Sequence, residues 1–157
     1  MNIQGMSALV TGGGSGLGEA TARELARLGA KVAVLDLNLE NAQKVAADIG
    51  GIAIQCDVTN AASMENAVAE AAKAQGGARI LMQIAGIGTA KRIVGKDGNP
   101  APLEDFAKVV NVNLIGTYNA ARVFAAACAK LDPMEDGERG AMVFTASVAA
   151  FDGQVGP

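Results

Sequence analysis

Histidine and tryptophan are absent from the chain, and tyrosine occurs once. Without histidine, a Ser-His-Asp triad and any histidine metal site are excluded. Cysteine is scarce: Cys56 and Cys128 lie far apart in apolar runs and lack metal-ligand spacing. Two buried, reduced thiols are expected, and no metal site. No block of lysine or arginine stands out, and the net charge is −3 with both signs interspersed. Nucleic acid and anionic membranes are therefore not expected as partners. No apolar run approaches the roughly 20 residues of a membrane span. The N-terminus, Met1 to Gly5, lacks the charged-then-apolar order of a secretory leader. A soluble, cytoplasmic protein is the expectation.

What is abundant points one way. Half of the 157 residues are hydrophobic and 20 are glycine, which suits one domain of tightly packed helices and strands joined by close turns. Short apolar runs alternate with segments of helical period, the pattern of a parallel sheet covered on both faces. Strands are predicted at Ser7–Thr11, Lys31–Asp36, Ile52–Cys56, Arg79–Ile84 and Ala141–Thr145. The first helix is predicted from Gly16 to Leu28, with Leu17, Thr21, Leu25 and Leu28 on one face and Gly29 ending it. Asn38 is the expected N-cap of the second helix, with Ala42, Val45, Ala46 and Ile49 inward, and Gly50-Gly51 closes it. The third helix carries Met64, Val68 and Ala71. From Ile87 to Ala101 runs a loop whose Lys96-Asp97-Gly98-Asn99-Pro100 reads as a hairpin tip. A single long helix is predicted from Leu103 to Lys130, with Phe106, Val110, Asn113, Thr117 and Ala121 on one stripe. Five βα units in one domain, residues 1–157, result.

Thr11-Gly12-Gly13-Gly14-Ser15-Gly16-Leu17-Gly18 separates the first strand from the first helix. Glycine there lets the backbone turn sharply and approach a pyrophosphate, which the free N–H groups and dipole of the helix N-terminus favour. Taken by itself, the cluster also fits an ordinary glycine-rich βα turn. Asp36, ending the second strand, sits near the offset of about 20 residues expected of a ribose-binding carboxylate. Its charge accepts bonds from ribose hydroxyls and repels a 2′-phosphate. Neither Leu37 nor Ser15 supplies a cation for that phosphate, so NAD is expected rather than NADP. A Walker loop is excluded because no Gly-Lys-Ser/Thr follows the glycines, and the G-x-G-x-x-G fingerprint is not met either.

The spacing Gly12-x-x-x-Gly16-x-Gly18, preceded by Thr11, instead resembles the cofactor loop of the short-chain dehydrogenase/reductase family. Asp57-Val58 resembles that family's adenine-contacting pair. Ala85-Gly86 resembles the end of its Asn-Asn-Ala-Gly segment, Asn113 its catalytic-helix asparagine and Ser147 its catalytic serine. The insert Val94–Gly98, Leu103-Glu104-Asp105-Phe106 and the run Thr145–Val155 are similar to the type 2 3-hydroxyacyl-CoA dehydrogenase subgroup, which includes hydroxysteroid-oxidising members. The resemblance implies a Rossmann-type doubly wound α/β fold. It also implies that Thr11, Gly12, Ser15, Gly16, Leu17, Gly18, Asp36, Leu37, Asp57, Val58, Ala85 and Gly86 bind NAD, and that Asn113 and Ser147 serve catalysis. On the residues alone, Asn113 also reads as a structural amide and Ser147 as an ordinary loop serine.

The implied activity is NAD-dependent oxidation of a secondary alcohol, such as a 3-hydroxyacyl-CoA, to the ketone. Its partners would be that small alcohol or ketone and, at full family length, other copies in a homo-oligomer, a tetramer. The family's tyrosine and lysine would fall beyond Pro157, so the domain is expected to be incomplete at its C-terminus and inactive without the remainder. Tyr118, which forms a Tyr-x-x-x-Arg pair with Arg122, is expected to be a packing or subunit-contact residue instead. Gln83 departs from the family asparagine, and its longer arm is expected to alter bonds between the fourth and fifth strands. The alternative is a non-catalytic nucleotide-binding or interaction domain that ends at Pro157.

Overall fold

Five parallel strands form one sheet in a computed structural model that describes residues 1–89 and 91–152. Ala90, in the predicted loop, and the end of the Thr145–Val155 run lie outside the described residues. The strands are β1 (Ser7–Thr11), β2 (Lys31–Asp36), β3 (Ile52–Gln55), β4 (Ala78–Gln83) and β5 (Ala141–Phe144). Their spatial order is β3-β2-β1-β4-β5, with Val10 beside Val34 on one side and Met82 on the other. This is the parallel sheet covered on both faces that the alternation predicts and the doubly wound α/β arrangement that the family resemblance implies, with strand ends differing by about one residue.

Helices cover both faces. Helices α1 (Gly16–Arg27) and α2 (Leu39–Ile49) cover one side, where Ala22, Ala42, Val45 and Ala46 pack on Val10, Val32 and Val34. The other side is covered by α3 (Ala61–Gln75) and, after α4 (Leu103–Val110), by α5 (Gly116–Cys128). There Met64, Val68, Ala71, Ala120 and Phe124 pack on Leu9, Leu35 and Leu81. Alternate residues of β1 thus enter different cores, as the period of a strand requires. Asn38 and Asn60 cap α2 and α3 by accepting from Asn41 N–H and Ser63 N–H. The predicted hairpin tip forms as well: Val94 bridges Pro100, and Gly98 takes a φ of +78°. No helix among the described residues is long and apolar enough to cross a membrane.

Two helices differ from their sequence reading. On α1 the buried positions are Gly18 and Ala22, whereas Leu17 and Leu28 are exposed. The cause is distance: a Cβ on Gly18 would lie 1.9 Å from the carbonyl oxygen of Gly12, so α1 presses its smallest side chains onto the strand end. The predicted long helix is interrupted by a π-helical turn, Asn111–Ile115, where Gly116 N–H reaches five residues back to Asn111 C=O. The extra residue rotates the two halves against each other. The buried stripe accordingly runs through Gly116, Asn119, Ala120, Phe124 and Cys128, while Phe106 and Asn113 are exposed.

Gly18→Ala in the full-length protein is expected to destabilise by about 1–3 kcal/mol or more, because backbone must move to admit the methyl. Gly88→Ala is the control, since a Cβ there meets nothing within 4 Å. Equal urea midpoints for the two variants would contradict the close approach.

Candidate functional site

The strand order reverses between β1 and β4, whose chains continue into helices on opposite faces of the sheet. In open α/β sheets ligands bind in the crevice this leaves beyond the C-terminal strand ends. A cleft of about 560 Å³ lies there, walled by the glycine loop, the ends of β2 and β3, the segment after β4 and the α4–α5 helix.

The loop's shape follows from its glycines. Gly12 takes φ +64° and a Cβ on it would meet Ala85 Cα at 2.9 Å, so the β1 and β4 ends approach through bare backbone. Gly16 takes φ +52°. Ser15 makes no side-chain bond to the first turn of α1, unlike the capping asparagines of α2 and α3. The first N–H groups of α1 are thus left without a side-chain cap beside the cleft, a donor set that suits a phosphate. Asp36 braces the loop, its carboxylate accepting from Gly14 N–H at 2.9 Å and from Asn38 N–H at 2.9 Å. A carboxylate offers about four acceptor sites, so two remain for ribose hydroxyls. Loop and carboxylate together fit a dinucleotide.

The other predicted residues take their places around this cleft. Gly12, Ser15, Gly16, Leu17, Gly18, Asp36, Leu37, Asp57, Val58, Ala85 and Gly86 all line it. Thr11 does not; it is fully buried beneath. Its hydroxyl donates to Gln83 Oε1 at 2.7 Å and accepts from Ile84 and Ala85 N–H at 3.2 Å each. This corrects the expectation for Gln83: the longer amide links β4 to β1, and β5 is held through the Gln83 main-chain carbonyl by the N–H and hydroxyl of Thr145. Asp57 Oδ1 accepts from the N–H and hydroxyl of Thr59.

A second cleft, of about 410 Å³, adjoins the first at Ile87 and is lined by Asn113, Ser147, Phe106 and Val109 among others. It brings the two predicted catalytic residues together. Asn113 does not enter the apolar seam expected of it. Set outward by the π turn, its Nδ2 donates to Ile87 C=O at 2.8 Å and its Oδ1 accepts from Ile87 N–H at 2.9 Å. Both ends of its amide are engaged by the main chain of Ile87, at the wall the two clefts share. Ser147 Oγ accepts from Ala149 N–H at 3.2 Å, capping a short 3₁₀ turn, Val148–Ala150. Its hydroxyl proton stays available for donation into the cleft.

Sequence reasoning missed Cys56, Thr59, Ile84, Ile87, Lys108 and Val112 in the first cleft. Ile87 carried no signal, because its main chain does the work. Lys108 and Val112 lie one helical turn apart, a spacing visible in the sequence once Val112 is known to face the cleft. Tyr118 is exposed, as a subunit-contact residue would be and a packing residue would not, and Arg122 bonds Asn119 and, on α3, Glu65. Both cysteines are buried, and burial pushes the Cys56 thiol up to about 11.

The chain matches the short chain dehydrogenase family over residues 6–156 and belongs to it. It is similar to 3-hydroxyacyl-CoA dehydrogenase type-2 of Drosophila melanogaster, 41% identical over 98% of this chain and 62% of that protein. The Homo sapiens protein of that name is 39% identical, with 99% of this chain and 60% of its own length covered. Among solved structures, 3-hydroxyacyl-CoA dehydrogenase type-2 from Mycobacterium avium superposes with a TM-score of 0.89 at 43% identity, over 97% of this chain and 61% of that one. A 3-ketoacyl-(acyl-carrier-protein) reductase from Brucella melitensis complexed with NADH gives 0.83 at 31% identity, over 94% and 60%. The chain therefore spans about 60% of the length of the curated relatives it matches.

Asn113→Ala in the full-length protein removes both bonds to Ile87. Each is worth about 0.5–1.5 kcal/mol, and amide hydrogen exchange at Ile87 is expected to accelerate markedly. Unchanged protection of that amide would show that the wall is held by something else.

Proposed function

We propose that the protein of which this chain is part is an NAD-dependent oxidoreductase that oxidises a secondary alcohol, such as a 3-hydroxyacyl-CoA, to the ketone. The observation that carries this reading is the pair of adjoining clefts at the switch point of the sheet. One holds the glycine loop, Asp36 and Asp57; the other holds Asn113 and Ser147. A purely nucleotide-binding domain would have no use for the second cleft.

The bound dinucleotide supplies the hydride acceptor. This chain's residues orient and exclude. Asp36 favours unmodified ribose, Asp57 and Val58 border the expected adenine position, and the Asn113–Ile87 clamp fixes the partition between cofactor and substrate. Ser147 would donate a hydrogen bond to the substrate oxygen, where negative charge develops as the alcohol proton passes to a general base. Phe106 and Val109 give the substrate cleft an apolar side that fits an acyl chain. Acyl-CoA as substrate is supported by the two type-2 relatives, and NAD by Asp36 together with the NADH-bound structural neighbour. Self-association belongs to the same reading: Phe106, Leu114 and Tyr118 are each more than 60% exposed along α4 and α5.

NAD is expected to bind more tightly than NADP, and Asp36→Asn, which keeps a hydrogen-bond acceptor but removes the charge, should narrow the difference. Titrating both cofactors against both proteins checks this; equal affinities in the unmodified protein would contradict the assignment. In the full-length protein Ser147→Ala is expected to lower kcat by about 10²–10³-fold while leaving NAD affinity unchanged. An unchanged kcat with chemistry rate-limiting would move the reacting centre elsewhere.

A further inference from the structure

A pyrophosphate carries two negative charges, whereas a helix N-terminus offers the equivalent of only about +0.5. Of the residues lining the larger cleft, three bear charge: Asp36, Asp57 and Lys108. The two carboxylates are engaged, Asp36 with the N–H groups of Gly14 and Asn38, and Asp57 with Thr59. Lys108 takes part in none of the ion pairs found among the described residues. On its own helix Asp105 is already taken by Lys91. Lys108 stands on α4 one turn before Val112, and both line the cleft. Lys108 and the glycine loop line the same cleft, the loop from the β1–α1 turn and the lysine from α4.

Resting on the cofactor reading above, we propose that Lys108 is the counter-ion that closes on the bound cofactor's pyrophosphate from α4. The glycine loop provides fixed N–H donors; the lysine provides a mobile full charge. An ammonium on a flexible stem suits this task, because it need not hold one geometry. The ion pair lies near solvent, so its contribution is modest and falls with salt.

The test compares adenosine, ADP and NAD by calorimetry at low and high salt, using the full-length protein and its Lys108→Gln and Lys108→Arg variants. Lys108→Gln is expected to weaken ADP and NAD about two- to fivefold at low salt and to leave adenosine unchanged. Lys108→Arg should restore most of the loss, and high salt should shrink it. The adenosine affinity doubles as evidence that the variant is folded. NAD and ADP affinities unaltered by Lys108→Gln would overturn the proposal while leaving the cofactor reading intact. A loss shared equally by adenosine, or confined to NADP, would also overturn it, since the charge would then act on packing or on a 2′-phosphate. An unmodified protein that binds none of the three ligands would overturn the cofactor reading and this inference with it.

Discussion

The first turn of α1 rests on the carbonyl of Gly12 with no room for even a methyl group between them. That contact sets how deeply the helix sits over the end of β1, and therefore where its N–H groups end. It also holds the glycine loop in a shape with left-handed backbone at Gly12 and Gly16, which favours glycine, and with no space for a Cβ at Gly12. Asp36 then ties the loop to β2 through Gly14, and Thr11 ties the floor to β4 through Gln83. Three neighbouring strand ends are thus locked to one short turn. A dinucleotide site needs that rigidity, because a phosphate is recognised by donors already in position.

Much of this was legible in the sequence because it depends on periodicity and on glycine. Alternating apolar runs named all five strands, the family resemblance named the doubly wound fold, and the spatial order of the strands came only with the structure. Misreadings arose where bulk was taken for burial. Leu17 and Leu28 have the side chains one expects inside, yet α1 lies too close to the sheet for them, and Gly18 and Ala22 face inward instead. Along the long helix the 3.6-residue period was extrapolated through Asn113, where one extra residue in the turn shifts the phase. Nothing in the composition of Asn111–Ile115 marks that insertion.

Side-chain partners were harder to read than backbone. Gln83 was expected to disturb the junction with β5; it fastens β1, because an amide one methylene longer reaches the Thr11 hydroxyl. Asn113 was identified by its motif, but its bonds go to the main chain of Ile87, which no motif marks. Lys108 drew no reading from the sequence, where a lysine on a helix carries no signal of its own. Its place in the cleft appears only once α4 takes its position in the fold.

The clamp between Asn113 and Ile87 leaves both clefts sharing a single partition, and it grips that partition by main-chain atoms alone. The side chain at position 87 is therefore free of any duty in holding the partition upright. Exchanging it would resize the neighbouring chamber while the carboxamide kept its grip. Because position 87 borders both clefts, such an exchange would reshape the second chamber and the edge of the first together, and its cost is set by packing rather than by lost hydrogen bonds.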